Sequence, residues 1–140
     1  MVKNPDKWLR KYFNDTLSNI VVNGIPVKLY DTTNPNKDTA MIILSTQSGS
    51  DQWNNKCSID KMRDINIDVI TRYPGNVGSR AFLDDIIEEI LQRTEKITVE
   101  HFIVQYYNKS YPFDLNQSTS TETIYRKIIK YSLKLTEDGR

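Results

Sequence analysis

Cysteine and histidine are nearly absent from this sequence. Its 140 residues include one cysteine, Cys57, and one histidine, His101. A single cysteine excludes a disulfide within the chain, and these two residues are too few for a metal site built on cysteine or histidine. We therefore expect no metal and no cofactor, and a protein of a reducing compartment. The shortage of nucleophiles and proton carriers favours a function other than catalysis.

Long hydrophobic runs and an excess of one charge are also lacking. The longest apolar run, Ala40 to Leu44, has the length of a strand, whereas a transmembrane helix needs about 20 apolar residues. Lys7, Arg10 and Lys11 interrupt the apolar residues near the N terminus, so we expect no signal peptide. Lysine plus arginine number 19 and aspartate plus glutamate 18, for a net charge of +1. This balance predicts no overall attraction to nucleic acid or membrane.

What the chain does contain is enough apolar material for one core. Hydrophobic residues make up 38% of a chain that has the length of one domain. We expect a single domain over residues 1–140, with residues 137–140 as a frayed tail.

The N-terminal segment has the pattern of an amphipathic helix. Asn4 before Pro5 is a typical start, because Asn accepts hydrogen bonds at an N-cap and proline suits the first helical turn. Apolar residues then recur at spacings of three and four, which places them on one helix face. They are Trp8, Leu9, Tyr12, Phe13, Leu17 and Ile20. We expect Asn23-Gly24 to end this helix.

Most of the remaining sequence predicts β-strands. Strands are predicted over 26–30, 40–46, 59–73, 97–111 and 122–136, with a second helix over 77–93. Polar loops are expected over 31–38, 47–58 and 112–120, although 47–58 fits a long hairpin connection equally well. Helices and strands do not alternate regularly, so we expect an α+β fold. Its antiparallel β-sheet carries two α-helices packed on it, in the order α-β-β-β-α-β-β.

The apolar residues of these elements define a candidate core. In the third strand Ile65, Ile67, Val69 and Thr71 alternate with the other face, and Phe102, Val104 and Tyr106 do so in the fourth. The predicted core consists of Trp8, Leu9, Tyr12, Phe13, Ile43, Ile67, Val69, Phe82, Ile86, Ile90, Phe102, Val104, Ile129, Tyr131 and Leu133.

Three groups of residues deserve comparison with catalytic or binding motifs. Cys57 and His101 could form a nucleophile pair, but no third orienting group is evident. Asp84, Asp85, Glu88 and Glu89 could bind a metal, yet they fit a solvated helix face better. The turn YPGNVGS, residues 73–79, precedes a helix as phosphate-binding turns do, but it lacks their glycine and lysine pattern. We expect none of them to carry chemistry.

Basic residues beside aromatic ones could mark nucleic-acid binding. Such residues occur at Lys7 to Tyr12 and at Tyr125 to Tyr131. In the last strand Arg126 and Lys130 share a face, and Lys127 lies on the other with Tyr125 and Tyr131. The alternative is a solvated, charged edge strand.

The polar loops are the least ordinary feature, because long loops are often functional. Trp53 lies in one of them without a periodic partner. It could fold back onto the core or anchor a partner, and we expect Trp53→Ala to fold but to assemble less well. The predicted interface residues are Gln47, Ser48, Asp51, Gln52, Trp53, Asn54, Asn55, Phe113, Asp114, Asn116 and Gln117.

The order of these segments resembles one protein family. After the N-terminal helix come GIPVKLYD (24–31) and AMIILST (40–46), and then the strand, turn and helix of IDVITRYPGNVGSRAFLDDIIEEIL (67–91). Two long closing strands follow. In this order, and in the Arg-Tyr-Pro-Gly step from strand to helix, the chain resembles the tail terminator, or tail completion, proteins of tailed bacteriophages.

The resemblance implies a function without catalysis. Such proteins form a ring, typically a hexamer, at the head-proximal end of the tail tube. The ring stops tube growth and contacts the neck of the capsid. For this chain the resemblance implies self-association, tail-tube and neck or connector proteins as partners, and no membrane. Direct nucleic-acid contact is not expected. It also implies a place in the virion, at the neck or tail, after assembly in the host cytoplasm.

Other functions stay open at this point. The chain could be another neck or connector ring protein, including one of a short-tailed phage. It could instead be a small nucleic-acid-binding regulator if Arg126, Lys127, Lys130 and Lys134 formed one basic patch with the N-terminal helix. An enzyme centred on the acidic residues at 84–89 is a further alternative.

Overall fold

The computed structural model describes residues 4–31, 39–55, 58–74, 80–118 and 121–137; the side chains of residues 46, 52–55, 58, 59, 113 and 118 are outside that description. In chain order the elements are α1 (Pro5–Leu17), β1 (Ile20–Val22), β2 (Ile25–Tyr30), β3 (Ala40–Asn55), β4 (Ser58–Pro74), α2 (Arg80–Arg93), β5 (Phe102–Ser118) and β6 (Glu122–Glu137). Of the sequence-based candidates for chemistry, Cys57 and residues 75–79 of the turn at 73–79 lie outside the described residues.

The strands form one six-stranded sheet in the order β1-β2-β3-β4-β6-β5. The predicted α+β class, with two helices and a mostly antiparallel sheet, is confirmed. One pair departs from the expectation: β2 and β3 run parallel, with Lys28 opposite Met41. The two strands therefore begin at the same end of the sheet, whereas strands joined by a two-residue hairpin run antiparallel.

Helix α1 ends earlier than the sequence predicts. Asn4 Oδ1 accepts the Asp6 N–H at 3.0 Å, which confirms the N-cap, but the helix stops at Leu17. Ile20–Val22 forms an additional strand, because Asn23 and Gly24 both have positive φ and close a two-residue hairpin between β1 and β2. The periodic position of Ile20 fits a helix and a buried strand residue equally well.

Both helices pack on one face of the sheet and enclose the main core. Leu9 and Phe13 of α1 and Phe82 and Ile86 of α2 join one buried cluster with alternate residues of the strands. The predicted core residues are buried or packed against this cluster, with one exception. Ile43 belongs with Met41 and Ile70 to a separate small cluster. Since these three alternate with core positions, they lie on the sheet face away from the helices, here called the outer face.

The two helices are also tied together by polar contacts. The Arg93 guanidinium of α2 donates to the carbonyl oxygens of Thr16 at 3.2 Å and Ser18 at 3.0 Å. It thereby satisfies carbonyls that the end of α1 leaves without a helical partner. Beneath the helices, the Tyr131 hydroxyl and Thr94 Oγ1 are 2.6 Å apart in the core.

Two segments expected to be polar loops are strands instead. β3 continues to Asn55 and β5 continues to Ser118. The polar residues of these segments tolerate strand geometry because partner strands satisfy their backbone groups. At the C-terminal end, Glu137 is opposite Phe102 in the sheet, so the expected frayed tail does not include it; residues 138–140 lie outside the described residues.

The pattern of β5 also differs from the prediction. The strand begins at Phe102, not at Ile97, and a bulge between Val104 and Tyr106 shifts its register. The shift turns Tyr106 away from the face that Val104 occupies, and Tyr107 packs against the core instead. The alternation of β5 side chains between the two sheet faces is therefore interrupted at the bulge.

Candidate assembly surfaces

The predicted interface residues belong to two hairpin arms at opposite ends of the sheet. The β3–β4 arm consists of β3 residues 47–55 and β4 residues 58–65, and it pairs through β4 with the C-terminal part of β6. The β5–β6 arm consists of β5 residues 113–118 and β6 residues 122–128, in the N-terminal part of β6. The structure therefore does not bring the two predicted segments together.

Gln47 connects the β3–β4 arm to helix α1 by hydrogen bonds. Its Oε1 accepts from Arg10 Nε at 2.9 Å and from Arg10 Nη2 at 2.5 Å. Its Nε2 donates to the Asp6 carbonyl oxygen at 3.3 Å. Within this chain Gln47 thus has a positioning role at the base of the arm, and its part in contacts with other proteins stays a prediction.

Arg63 makes a second set of contacts on the same side of the arm. Its Nε lies 2.8 Å from Asp6 Oδ1, and its Nη1 lies 2.8 Å from Asp51 Oδ1 and 3.2 Å from the Ser50 carbonyl oxygen. The side chain runs over Gly49, where a Cβ would lie 2.5 Å from Arg63 Cδ and 2.3 Å from the Met62 carbonyl oxygen. Only glycine leaves room for this crossing.

Asp51 is ionised in these surroundings. Partial burial works against its charge, but the hydrogen bond and charge of Arg63 outweigh it and lower the pKa of Asp51, with the charge of Lys61 adding to the effect. Lys61 Nζ lies 3.6 Å from Asp51 Oδ2, and the Lys61 side chain is almost fully buried. Asp51 therefore offsets two cations in its own arm.

The other predicted interface residues fall into two groups. Ser48, Asp114, Asn116 and Gln117 are exposed. The side chains of Gln52, Trp53, Asn54, Asn55 and Phe113 lie outside the description, although the backbone places all five in strands. Trp53 is opposite Ile59 in the β3–β4 pair. Its role as a partner anchor stays a prediction.

The outer face of β4 and β6 carries a ladder of ion pairs that sequence reasoning missed. Each β4 residue pairs with the β6 residue two positions before its direct cross-strand partner. Successive pairs are four residues apart along each strand. The pairs are Asp60–Lys134 at 3.2 Å, Asp64–Lys130 at 3.6 Å, Asp68–Arg126 at 2.5 Å and Arg72–Glu122 at 3.6 Å. The last pair has the reverse polarity. The even spacing is visible in the sequence, but only the register shows which charges face each other.

This ladder changes how the basic residues of β6 should be interpreted. Arg126 binds Asp68, a buried carboxylate, through Nε and Nη2. That hydrogen bond raises the pKa of Arg126 against the effect of burial, and the charge of Asp68 adds to it. Lys130 and Lys134 face their own aspartates, and Lys127 lies on the opposite face. Arg126, Lys130 and Lys134 thus belong to a mixed-charge surface on the outer face, away from α1.

The remaining candidates for chemistry are dispersed. His101 has φ of 71°, its ring is 4.5 Å from the Trp8 ring, and its Nε2 is 3.8 Å from Glu100 Oε1. On α2 the acidic face is solvated, as expected, with Glu89 bound to Arg93 at 2.9 Å. Within the described ranges no three His, Cys, Asp or Glu side chains converge as a metal site would require. No helix in that part of the chain is long and apolar enough to cross a membrane.

Comparison with known proteins finds similarity at the level of the fold alone. No protein-family model matches the sequence, and no curated protein matches it. Among solved structures, the chain is similar to one in a structure described as the virion of a native gene transfer agent particle, with a TM-score of 0.62 and 11% sequence identity. The match covers 95% of this chain and 99% of that chain. The two chains therefore share one fold over nearly their whole lengths.

Proposed function

We propose that this protein is a virion structural protein at the head–tail junction of a tailed bacteriophage, where it forms a ring that terminates or completes the tail and joins it to the capsid neck. The observation that carries the proposal is the shared fold with a chain of a gene transfer agent virion over nearly the full length of both chains. The sequence resemblance to tail terminator proteins supports the more specific role.

The positions of the two arms support a junction role. A ring between a tail tube and a neck must contact different proteins on its two sides. The β3–β4 arm and the β5–β6 arm lie at opposite ends of one sheet, so each can meet a different neighbour. The contacts of Gln47 and Arg63 hold the base of the first arm on α1, which gives that arm a defined direction.

The charge arrangement favours protein partners over nucleic acid. A nucleic-acid-binding regulator would use the β6 cations to neutralise phosphates. In this chain Arg126, Lys130 and Lys134 each have an aspartate as ion-pair partner. The net charge of the whole chain is +1. Another neck or connector ring protein would share the same fold, and tail termination is favoured over it by the resemblance.

The first test is the assembly state of the purified chain. We expect native mass spectrometry over a concentration series, with negative-stain imaging, to detect a closed ring, with six copies as the expected number. A protein that stays monomeric at every concentration would contradict self-assembly into a ring.

The second test is particle assembly without the protein. Phage that lack a functional copy of the gene should produce tail tubes of variable length that are not joined to heads, because nothing stops the tube or offers a surface to the neck. Supplying the wild-type gene in trans should restore uniform tails on heads. Normal particles in the absence of the protein would contradict the proposed role.

A further inference from the structure

The helix-side face of the sheet carries cations that differ from those of the outer face. Arg80 at the start of α2, Lys109 on β5 and Lys127 on β6 each lie near a tyrosine ring. Arg80 and Lys109 are exposed, and Lys127 is partly exposed. Within the described ranges no Asp or Glu side chain is within ion-pair distance of any of the three. The β6 cations of the outer face, by contrast, are each paired with an aspartate.

The strand register shows that the two lysines share one face. Lys127 is opposite Val69, a core residue of β4, and Lys109 is opposite the buried Tyr131 of β6. Because directly opposite residues of paired strands point to the same side, both lysines lie on the helix side. Tyr111 lies there as well, since Lys127 Nζ is 5.2 Å from its ring centroid.

The other two cations also lie over tyrosine rings. Lys109 Nζ is 6.0 Å from the Tyr107 ring centroid, and the Arg80 guanidinium carbon is 5.9 Å from that of Tyr125. A cation over an aromatic face is attracted by the ring, and this contact restricts the side chain before any partner binds. A restricted side chain loses less conformational entropy on binding. We call this group the tyrosine–cation surface: Arg80, Tyr107, Lys109, Tyr111, Tyr125 and Lys127.

The chemistry of this surface favours the carboxylates of a protein over nucleic acid. Single-stranded nucleic acid stacks its bases on aromatic faces, but here a cation lies over one face of each ring. Duplex DNA is bound through many phosphates, whereas this surface has three cations and an aspartate, Asp114, opposite Lys127. Ammonium and guanidinium groups form strong, charge-assisted hydrogen bonds with carboxylates, and tyrosine is enriched in protein interfaces.

We infer that the tyrosine–cation surface binds an acidic segment of another protein. Tyr125 and Lys127 belong to the β5–β6 arm, so the acidic segment belongs to the protein that this arm meets. The inference rests on the proposed function where it takes that protein to be a neighbour in the virion. It deepens the proposed function, because it assigns a charge to the partner at one of the two arms.

A peptide titration with the full chain tests the surface. The probe is a fluorescein-labelled decapeptide of alternating glutamate and serine, and its companion has glutamine in place of every glutamate. At low ionic strength, fluorescence polarisation should show binding of the glutamate peptide at least about tenfold tighter than that of the glutamine peptide, because the charge of the carboxylates carries the interaction.

Variants of the two lysines assign the binding to this surface. Lys109→Gln combined with Lys127→Gln should weaken binding of the glutamate peptide by about 5- to 30-fold, as expected for the loss of two solvent-exposed charge contacts. Lys109→Arg combined with Lys127→Arg keeps both charges and should retain the binding. Lys7→Gln combined with Lys28→Gln removes the same charge at exposed positions of α1 and β2 and should bind as the wild type does. All three double variants should keep the wild-type melting temperature.

Several outcomes would overturn the inference. Equal binding of the two peptides, no binding of either, or an equal loss in the Lys7 and Lys28 control would each contradict it. Tighter binding of a labelled oligonucleotide, single-stranded or duplex, that also depends on Lys109 and Lys127 would identify a nucleic-acid surface instead.

The same experiments separate this inference from the proposed function. Native mass spectrometry reports the ring, and the peptide titration reports the surface. A chain that forms no ring but binds the glutamate peptide in the expected way would contradict the ring and support the surface. A ring that does not distinguish the two peptides would do the reverse.

Discussion

Arg63 joins the β3–β4 arm to the first turn of α1, with its Nε 2.8 Å from Asp6 Oδ1. These two residues are far apart in the chain, and their contact fixes how the arm leaves the body of the protein. The Arg63 side chain is 11% exposed, whereas that of Asp6 is 45% exposed. Both the packing of the β3–β4 arm and its direction relative to α1 therefore depend on the arginine. The predictions that follow test this and other contacts of the described residues.

Replacing Arg63 with alanine should loosen the arm. The variant loses the ion pairs with Asp6 and Asp51 and the packing over Gly49, and we expect a loss of about 1–3 kcal/mol in the free energy of unfolding. Urea denaturation measures the loss, and hydrogen exchange should rise in residues 47–55. Lys11→Ala removes an exposed pair with Glu100 and should leave the stability nearly unchanged. Equal effects of the two substitutions would contradict the central role of Arg63.

Replacing Gly49 with alanine should also destabilise the arm. The new Cβ would lie 2.3 Å from the Met62 carbonyl oxygen, which belongs to the backbone and cannot simply rotate away. We expect a cost of about 1–3 kcal/mol in denaturant titrations. Ser50→Ala, at an exposed neighbouring position, is the matched control and should be close to neutral. A neutral Gly49→Ala would show that the two strands separate easily.

Stability should fall in strongly alkaline solution because of Tyr131. Burial raises the pKa of Tyr131 to about 12, against the effect of its hydrogen bond with Thr94. An unfolded tyrosine ionises near pH 10, so between about pH 10 and 12 the unfolded state loses its proton first and is favoured. The free energy of unfolding should decrease by about 2–3 kcal/mol over that range.

Tyr131→Phe is the variant that isolates this contribution. Its free energy of unfolding should be about 0.5–1.5 kcal/mol lower at neutral pH. The loss is small because Thr94 Oγ1 keeps its hydrogen bond to the Ile90 carbonyl oxygen. It should also show a shallower decline of stability above pH 10, while part of the decline persists because burial also raises the pKa of Tyr12. The exposed variant Tyr111→Phe serves as the control for the alkaline titration. An unchanged decline in Tyr131→Phe would contradict the assignment.

Exchanging both charges of one ion pair in the ladder should be tolerated, whereas reversing only one of the two charges should not. Asp64→Lys alone would place a lysine against Lys130, and Lys130→Asp alone would place two aspartates together. We expect each to cost about 0.5–1 kcal/mol, since both side chains are more than a third exposed and water screens their charges. The double variant should recover most of that loss, because Arg72–Glu122 already has the reversed polarity. A double-mutant cycle in low salt measures the coupling, and additive losses would count against the ladder.

Much of the fold was predictable from local patterns. The N-cap of α1 and the alternation of Ile65, Ile67 and Val69 could be recognised because a helix cap and a buried strand face depend on neighbouring residues. The burial of Phe82 and Ile86 followed from helical spacing in the same way. By contrast, the sequence around Gly49 suggested a loop, since small polar residues favour turns unless a partner strand satisfies their backbone.

The candidate site was less accessible to sequence reasoning. Ser48 and Asn116 were predicted as contact residues and are exposed, but nothing local indicates that they lie at opposite ends of the sheet. Tyr106 was expected to share a strand face with Phe102 and Val104, because a one-residue bulge cannot be recognised from an alternation with a period of two residues. Val21 was assigned to a helix, so its place on an edge strand could not be expected.

The sequence by itself determined the class of fold and the composition of the core, because apolar periodicity and cap residues act over a few positions. It also determined the scarcity of cysteine and histidine, which is a matter of counting. Only the tertiary structure decided the parallel β2–β3 pair and the register of the charge ladder. These features depend on which strands meet and at which residue, and pairing between distant segments is set by the packing of the whole chain.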